Sequence, residues 1–445
     1  MAHCTSPDSS TYSGYIDVEA RHLFFWFFES RSDPDKDDVI FWVNGGLISF
    51  SFTKLWILTI VCVCRCVGPG GSSAMGLFYE LGPCRISGAN STTFHPESWN
   101  SNANIFFVDQ PVSVGFSYAE YGETVSTTEE AAVDIAAFVA IFFEHFSKLK
   151  GRPFHMAGES FGGRYIPLFA AEVYDQNSRL EKAGLTPVNL QSIMIGDGYT
   201  DFYTMIPSYY DMTCTATSAA PVLDIACKKW LKESCVDVFD TIGCGAATSF
   251  CDSITLNVSS LSLDPDFVLT FNKGVNPYDI TKKCDGEFAE TLCYPAFSDI
   301  ETYLNLPEVR EVLGTDPEPA TFKYRSDTIG INFHRTLDQF HTSYHHVAAL
   351  LDRGVRALIY NGDVDWICNH LANEKWTLEL EWHGHEEFST QPLREWSVDG
   401  KKAGETRSAK GLTFATIKGA GHLAPFDKPK ETLELVNRWI GGQEL

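Results

Sequence analysis

The sequence predicts an α/β fold in which a mostly parallel sheet is covered by helices and interrupted by an inserted cap. Three observations carry this. Short apolar, aromatic and β-branched runs recur along the chain, each bounded by Gly, Asp or Asn; helical text stands between them; and the rhythm breaks from about residue 201 to 340, where cysteines, prolines and short segments crowd together. Alternation of strand and helix over this length favours a parallel sheet with helices on its faces.

In chain order, strands are expected at HLFFWFFES (22–30), VIFWVNG (39–45), ANIFFVDQ (103–110), LQSIMIGDG (190–198), RALIYNGD (356–363) and LTFATIKGAG (412–421). Their near-continuous apolar character suits strands buried on both faces. The clearest helix is TVSTTEEAAVDIAAFVAIFFEHF (124–146), in which Ser126 and Glu129, three residues on, read as a capping box ahead of apolar residues at helical spacing. The expected organisation is a core from residues 12–200, a disulfide-bearing cap at 201–340 and the rest of the core at 341–445.

The chain has 445 residues, 44% of them hydrophobic, enough for a substantial core. Its 34 Lys plus Arg against 58 Asp plus Glu leave a formal charge of -24, which repels phosphate-rich partners and excludes nucleic acid as an expected ligand. No charge block, low-complexity tract or fixed-period repeat stands out. Seven of the 13 cysteines lie between Cys214 and Cys293, without paired zinc spacing. They read as a local disulfide framework, hence an oxidising compartment. Sequons at Asn90 and Asn257 are candidate glycosylation sites and agree with it. The opening MAHCTSPDSSTYSGY has no apolar signal-peptide core, so a secretory reading calls for a missing leader or an incomplete N-terminus.

FHMAGESFGGRY contains GxSxG at Gly158–Gly162, between a strand-like run and the helical IPLFAAEVY. Such a turn lifts a serine hydroxyl out of the backbone and sets it at a helix N-terminus, whose positive potential favours a developing oxyanion. Ser160 needs a base, and a base needs an acid to orient it. RALIYNGDVDWICN supplies Asp363 and Asp365 after a strand, and ATIKGAGHLAPFD supplies His422 after another, in the order Ser, Asp, His. The carboxyl ends of parallel strands converge on one rim, so these residues can meet. Metal and nucleotide cofactors have no motif here, and no cofactor is expected.

Together YSGYIDVE, FFWFFESRSDP, VNGG, PGGSSAMGLFYELGP, SWNSNANIFFVDQPVSVGFSY, AGESFGGRYIP, GDVDWICN and GAGHLAPFD make the chain, from about Tyr12 to its C-terminus, resemble the serine carboxypeptidases of the carboxypeptidase Y and cathepsin A group. The resemblance implies an α/β-hydrolase fold with an inserted cap subdomain and an enzyme that removes single residues from peptide or protein C-termini in a vacuolar, lysosomal or extracellular setting. By motif position Ser160 is the nucleophile, Asp365 rather than Asp363 the acid and His422 the base, with the N–H groups of Phe161 and Gly46 as oxyanion donors. Trp42, Asn44, Gly45, Glu80 and Glu159 are the implied binding set for the substrate's terminal carboxylate. Two carboxyls in contact share a proton, so one of Glu80 and Glu159 can donate to an anion, which favours acidic pH.

Met75, Tyr79, Cys368 and Leu423 match the pocket for the terminal side chain, and its apolar character implies hydrophobic terminal residues. The family pattern suggests the disulfides Cys214–Cys227, Cys235–Cys251 and Cys284–Cys293; Cys244 lacks its usual partner, for which Cys84 is a candidate. Where the family commonly has a cysteine bridged to the cap, Gly71 stands, with no cysteine near Arg325.

One run does not fit. NGG and GPGGSS are split by a mostly apolar stretch, and deleting residues 46–67 or 47–68 restores the family's NGGPGGSS. The ambiguous junction and the wealth of Phe, Ser, Leu, Ile, Val and Cys match a translated intron. A membrane span needs about 20 apolar residues, whereas Lys54 interrupts the run and Arg65 closes it, so no span is expected. An apolar loop at the oxyanion hole would impair catalysis. The alternatives to an active carboxypeptidase are therefore an acyltransferase on the same scaffold and a catalytically impaired form.

Overall fold

The computed structural model describes residues 9–46, 68–214, 233, 275–286 and 288–445. Residues 47–67, Cys227, Cys235, Cys244, Cys251 and Asn257 lie outside them, as does the side chain of Cys214. Strands β1 (Thr11–Val18) and β2 (Arg21–Phe28) open the chain, followed by β3 (Val39–Asn44). A small hairpin, β4 (Cys84–Ile86) and β5 (Thr92–Phe94), precedes β6 (Asn104–Val108), β7 (Tyr118–Ala119), β8 (Phe154–Glu159) and β9 (Leu190–Gly196). A second small hairpin, β10 (Val275–Asn276) and β11 (Asp279–Lys283), precedes β12 (Arg356–Gly362), β13 (Arg394–Val398), β14 (Lys401–Ala409) and β15 (Leu412–Ile417).

The main sheet runs β1-β2-β6-β3-β8-β9-β12-β15-β14-β13, with β7 added on β2. Its centre, from β6 to β15, is parallel, and antiparallel pairs flank it on both sides. This is the α/β-hydrolase architecture, and each of the strands expected from apolar runs is present. Every residue of β3, β6 and β8 is buried, which explains why these strands read as continuous apolar text rather than alternation.

Helix α1 (Thr128–His145) covers one part of the sheet through Phe142, whose ring stacks 4.1 Å from that of Phe106 on β6. Helix α2 (Gly162–Lys182) packs on α1 and on β8 and β9. The C-terminal helix Pro429–Ile440 lies against β9, where Trp439 Nε1 donates to Ser192 Oγ at 2.9 Å. The expected cap of α1 is displaced by one residue. Thr127, not Ser126, is the N-cap and accepts from Glu130 N, while Glu130 Oε2 accepts from Ser126 N at 2.7 Å. Glu129 is drawn away by Arg164, its ion-pair partner at 2.7 Å.

Between α3 (Phe202–Cys214) and β12 the described elements are short: the β10–β11 hairpin and helices such as Ala296–Leu304, Pro307–Leu313 and Asp327–Arg335. Cys284 and Cys293 form a disulfide there. Cys84 is also disulfide-bonded. Asn90 is exposed in the turn between β4 and β5. Among the described residues no helix is long and apolar enough to cross a membrane.

Candidate active site

The parallel strands end on one rim. Asn44 closes β3, Ser160 follows β8, Asp197 follows β9, Asp363 and Asp365 follow β12, and His422 follows β15. Ser160 takes φ 63, a left-handed conformation that costs a side-chain-bearing residue free energy and marks a constrained turn. Its N–H donates to Gly196 O at 3.1 Å, and its carbonyl accepts from Gly163 N at 2.9 Å and Tyr199 N at 2.7 Å. The surrounding glycines are not equivalent. A Cβ on Gly158 would lie 2.8 Å from Ile166 Cγ1 and one on Gly163 2.6 Å from Tyr199 N, whereas one on Gly162 would meet nothing nearer than 3.6 Å. Close strand–helix packing therefore depends on Gly158 and Gly163, the second of which lies outside GxSxG.

His422 Nδ1 lies 2.8 Å from Asp365 Oδ2. The Asp365 carboxylate also accepts from Ile367 N at 2.9 Å and Cys368 N at 3.3 Å, and it is wholly buried. Asp363 instead accepts from Gly419 N at 2.6 Å, so the structure brings Asp365, and not Asp363, to the histidine. The β10–β11 segment braces both loops: His422 N donates to Tyr278 O at 2.7 Å, Trp366 N to Pro277 O at 3.2 Å and Ile280 N to Val364 O at 3.1 Å. Ser160 and His422 line one cavity.

The loop after β3 crosses directly over the residue following the serine. A Cβ on Gly45 would stand 2.2 Å from Phe161 N, and Gly46 takes φ 116 with no room for a Cβ beside Gly71 N. Gly71 N donates to Gly45 O at 2.9 Å and Gly68 N to Gly46 O at 3.0 Å, so the residues on either side of 47–67 are already neighbours.

Asn44 sits at the centre of a buried network. Its Oδ1 accepts from Trp42 Nε1 at 2.8 Å and Gly76 N at 2.9 Å, which fixes the amide orientation and turns Nδ2 toward Glu80 Oε1 at 3.1 Å and Glu159 Oε1 at 3.4 Å. Glu80 and Glu159 are buried and hydrogen-bonded to each other. Burial pushes both carboxyls up, and for Glu159 the charge of Glu80 and the bond between them push further, so the pair retains a shared proton.

The cavity is lined by Asn44, Gly45, Gly46, Glu159, Ser160 and His422 on its polar side, with Met75 and Leu423 among the apolar residues. Its remaining wall is Tyr278, Leu292, Tyr294 and Phe297, which no sequence motif singled out. Four expected contacts act at one remove. Trp42 is wholly buried with its N–H committed to Asn44, and Glu80 reaches the cavity through Asn44 and Glu159. Tyr79 stacks 4.1 Å from Phe426 and edges onto Tyr294 and Phe297, supporting the wall instead of forming it. Cys368 is a free, buried thiol behind the acid–histidine pair, within 4.8 Å of its ligand atoms, and burial pushes its pKa up.

Fold and site define a serine hydrolase of the α/β-hydrolase class. The serine carboxypeptidase family model matches residues 3–51 and 67–442, and the chain belongs to the serine carboxypeptidase family. It is 38% identical over 443 residues to carboxypeptidase Y of Komagataella phaffii, covering 97% of this chain and 76% of that protein. It is 37% identical over 454 residues to carboxypeptidase Y homolog A of Talaromyces marneffei, covering 98% and 73%. A prohormone-processing carboxypeptidase from Saccharomyces cerevisiae superimposes with a TM-score of 0.75 at 22% identity, over 97% of this chain and 91% of that one, a likeness of fold. By family, the chain is a serine-type carboxypeptidase.

Proposed function

We propose that the protein releases single, hydrophobic C-terminal residues from peptides at acidic pH, through an acyl-enzyme on Ser160. The observation that carries this is the Glu80–Glu159 pair held by Asn44, of which Glu159, with Asn44, lines the same cavity as Ser160 and His422. A hydrolase acting only on neutral esters has no use for a protonated carboxyl beside its nucleophile; a free α-carboxylate does. In this reading His422 takes the Ser160 proton and returns it to the leaving amine, Asp365 orients the imidazole, and the N–H groups of Phe161 and Gly46 receive the oxyanion. Met75, Leu423, Tyr278, Leu292, Tyr294 and Phe297 give the terminal side chain an apolar seat. The Cys284–Cys293 bridge and the disulfide at Cys84 support an oxidising compartment.

A specific observation favours a second reading, an enzyme impaired by residues 47–68. The family match stops at residue 51 and resumes at 67, and Gly46 and Gly68 are already hydrogen-bonded, so the loop closes without that run. One comparison tests both readings: the full chain and a form lacking residues 47–68, assayed on an N-blocked dipeptide at acidic pH. Release of the terminal amino acid by the shortened form alone, abolished by Ser160→Ala, supports the peptidase and marks the run as foreign. Equal release by both removes the second reading. No release by either folded protein removes the first and points to acyl transfer, revealed by an acceptor-dependent product.

A further inference from the structure

We propose that Asp197 is a positioning residue for the catalytic acid: its carboxyl, held in the protonated form, donates a hydrogen bond to Asp365 and so makes a second proton-sharing pair behind the histidine. The proposal rests on the assignment of Asp365 and His422 as the acid and base of the reaction.

Asp197 and Asp365 sit on adjacent strand ends, since β9 and β12 pair in parallel up to Gly196 and Tyr360. Both residues are wholly buried, and their carboxyls are in hydrogen-bond contact. Two carboxylates so placed cannot both be ionised without a large Coulombic penalty, so one of them keeps a proton. The donor inventory decides which. Asp365 already accepts from Ile367 N, Cys368 N and His422 Nδ1, so its oxygens are engaged by three donors. Among the described residues Asp197 accepts from Gly362 N alone, at 2.8 Å, which leaves its buried Oδ2 without a donor there and able to carry the proton. The backbone is set for this contact: Asp197 takes φ 43 and its N–H donates to Tyr360 O at 2.8 Å, holding the side chain over the end of β12.

The consequence is directional. The donated hydrogen bond fixes the rotamer of Asp365 and, through it, the imidazole. Loss of that proton at higher pH sets two anions against each other and releases the acid from its position. Burial, then the Asp365 charge, pushes the Asp197 carboxyl well up from the usual range. The other titratable groups facing this centre are Glu80, Glu159, Tyr360, Cys368 and His422.

The test uses the full chain with Asp197→Asn and Asp197→Ala. Asparagine keeps an N–H donor toward Asp365 and an acceptor for Gly362 N but cannot ionise; alanine removes both. Two readouts are followed against pH: kcat on an N-blocked amino-acid ester, which has no terminal carboxylate, and the low-field proton resonance of His422 Nδ1–H, which needs neither substrate nor an intact oxyanion loop. Wild type should show an alkaline step in both. Asp197→Asn should keep the resonance and kcat within about threefold while losing that step, and Asp197→Ala should lower kcat about tenfold to a hundredfold, the weight of a hydrogen bond to a charged group. The proposal is overturned if Asp197→Ala retains the wild-type resonance and pH profile, or if the alkaline step survives in Asp197→Asn, which would assign it to the Glu80–Glu159 pair. Should the wild-type chain turn over no ester, kcat is followed in the form lacking residues 47–68, where inactivity would count against the assigned chemistry, and the resonance still decides the role of Asp197.

Discussion

Glu159→Gln isolates the proton on which the proposed carboxylate site depends. Glu159 is pushed well up first by burial and then by the charge of Glu80, so its proton is present in acid and leaves as pH rises through that raised value. Once it has gone, the pair carries a second negative charge facing an anionic substrate terminus. A unit charge at about 4 Å, at an effective dielectric constant of about 20, opposes binding by about 4 kcal/mol, or about three decades in affinity. The penalty should grow by about tenfold per pH unit and level off after about three units. The assay compares kcat/KM for an N-blocked dipeptide with that for its C-terminal amide from pH 4 to 9, in the form lacking residues 47–68. The ratio of free acid to amide should be constant in acid and then fall by about 1,000-fold, whereas in Glu159→Gln, whose amide donates at every pH, it should stay flat. A wild-type ratio that does not change with pH, or a Glu159→Gln variant that reproduces the wild-type fall, would refute the shared-proton account.

Two further outcomes follow from the same geometry. Gly45→Ala places a Cβ 2.2 Å from Phe161 N, against the first oxyanion donor, and should lower kcat by about 100- to 1,000-fold while leaving the thermal midpoint within a few degrees; steady-state kinetics and a melting curve check it. Burial pushes the Asp109 carboxyl up from 3.8 to about 7. A raised pKa means that the folded state binds this proton more tightly, so the associated stability is fully present below about pH 4 and is lost as pH rises to about 7, amounting to about 4 kcal/mol. Urea unfolding at pH 4 and pH 7 should show a pH difference smaller by about that amount in Asp109→Asn than in wild type.

Much of this site was readable because it lies where strand ends meet sharp turns. The apolar runs of β3, β8, β12 and β15 are each followed by a residue with one chemical purpose, and parallel pairing brings those ends together. The apolar wall was not readable for the opposite reason. Tyr278, Leu292, Tyr294 and Phe297 come from short elements far along the chain from Ser160, and no periodicity tells an aromatic residue that lines a cavity from one that fills a core. For Trp42 and Tyr79 motif position pointed to the residues but not to their contacts, a hydrogen bond from Trp42 to Asn44 and an edge contact of Tyr79 with Phe297. Asp197 left a signal, a carboxylate at the end of a parallel strand beside the acid's own strand. Its meaning appears only once β9 and β12 are known to be neighbours.

The missing bridge between the glycine loop and the cap has a local explanation. Where a disulfide is expected from the resemblance, Gly71 and Arg325 form an antiparallel backbone bridge, flanked by Ser72 N to Tyr324 O at 2.9 Å and Ser326 N to Gly70 O at 2.8 Å. Backbone hydrogen bonds thus hold this loop to the cap without a covalent link. The space a cysteine needs has been given up as well, because a Cβ on Gly71 would lie 2.7 Å from Met75 Cε and 2.8 Å from Gly46 Cα. Methionine is flexible enough to yield, but the Gly46 backbone is not, and it carries a proposed oxyanion donor. Restoring the bridge with Gly71→Cys and Arg325→Cys should therefore lower kcat at least tenfold even when the disulfide forms and the thermal midpoint rises, because the strain falls on Gly46. A bridged variant with undiminished kcat would mean that the loop has slack and that close packing of Gly71 on Gly46 does not set the oxyanion geometry.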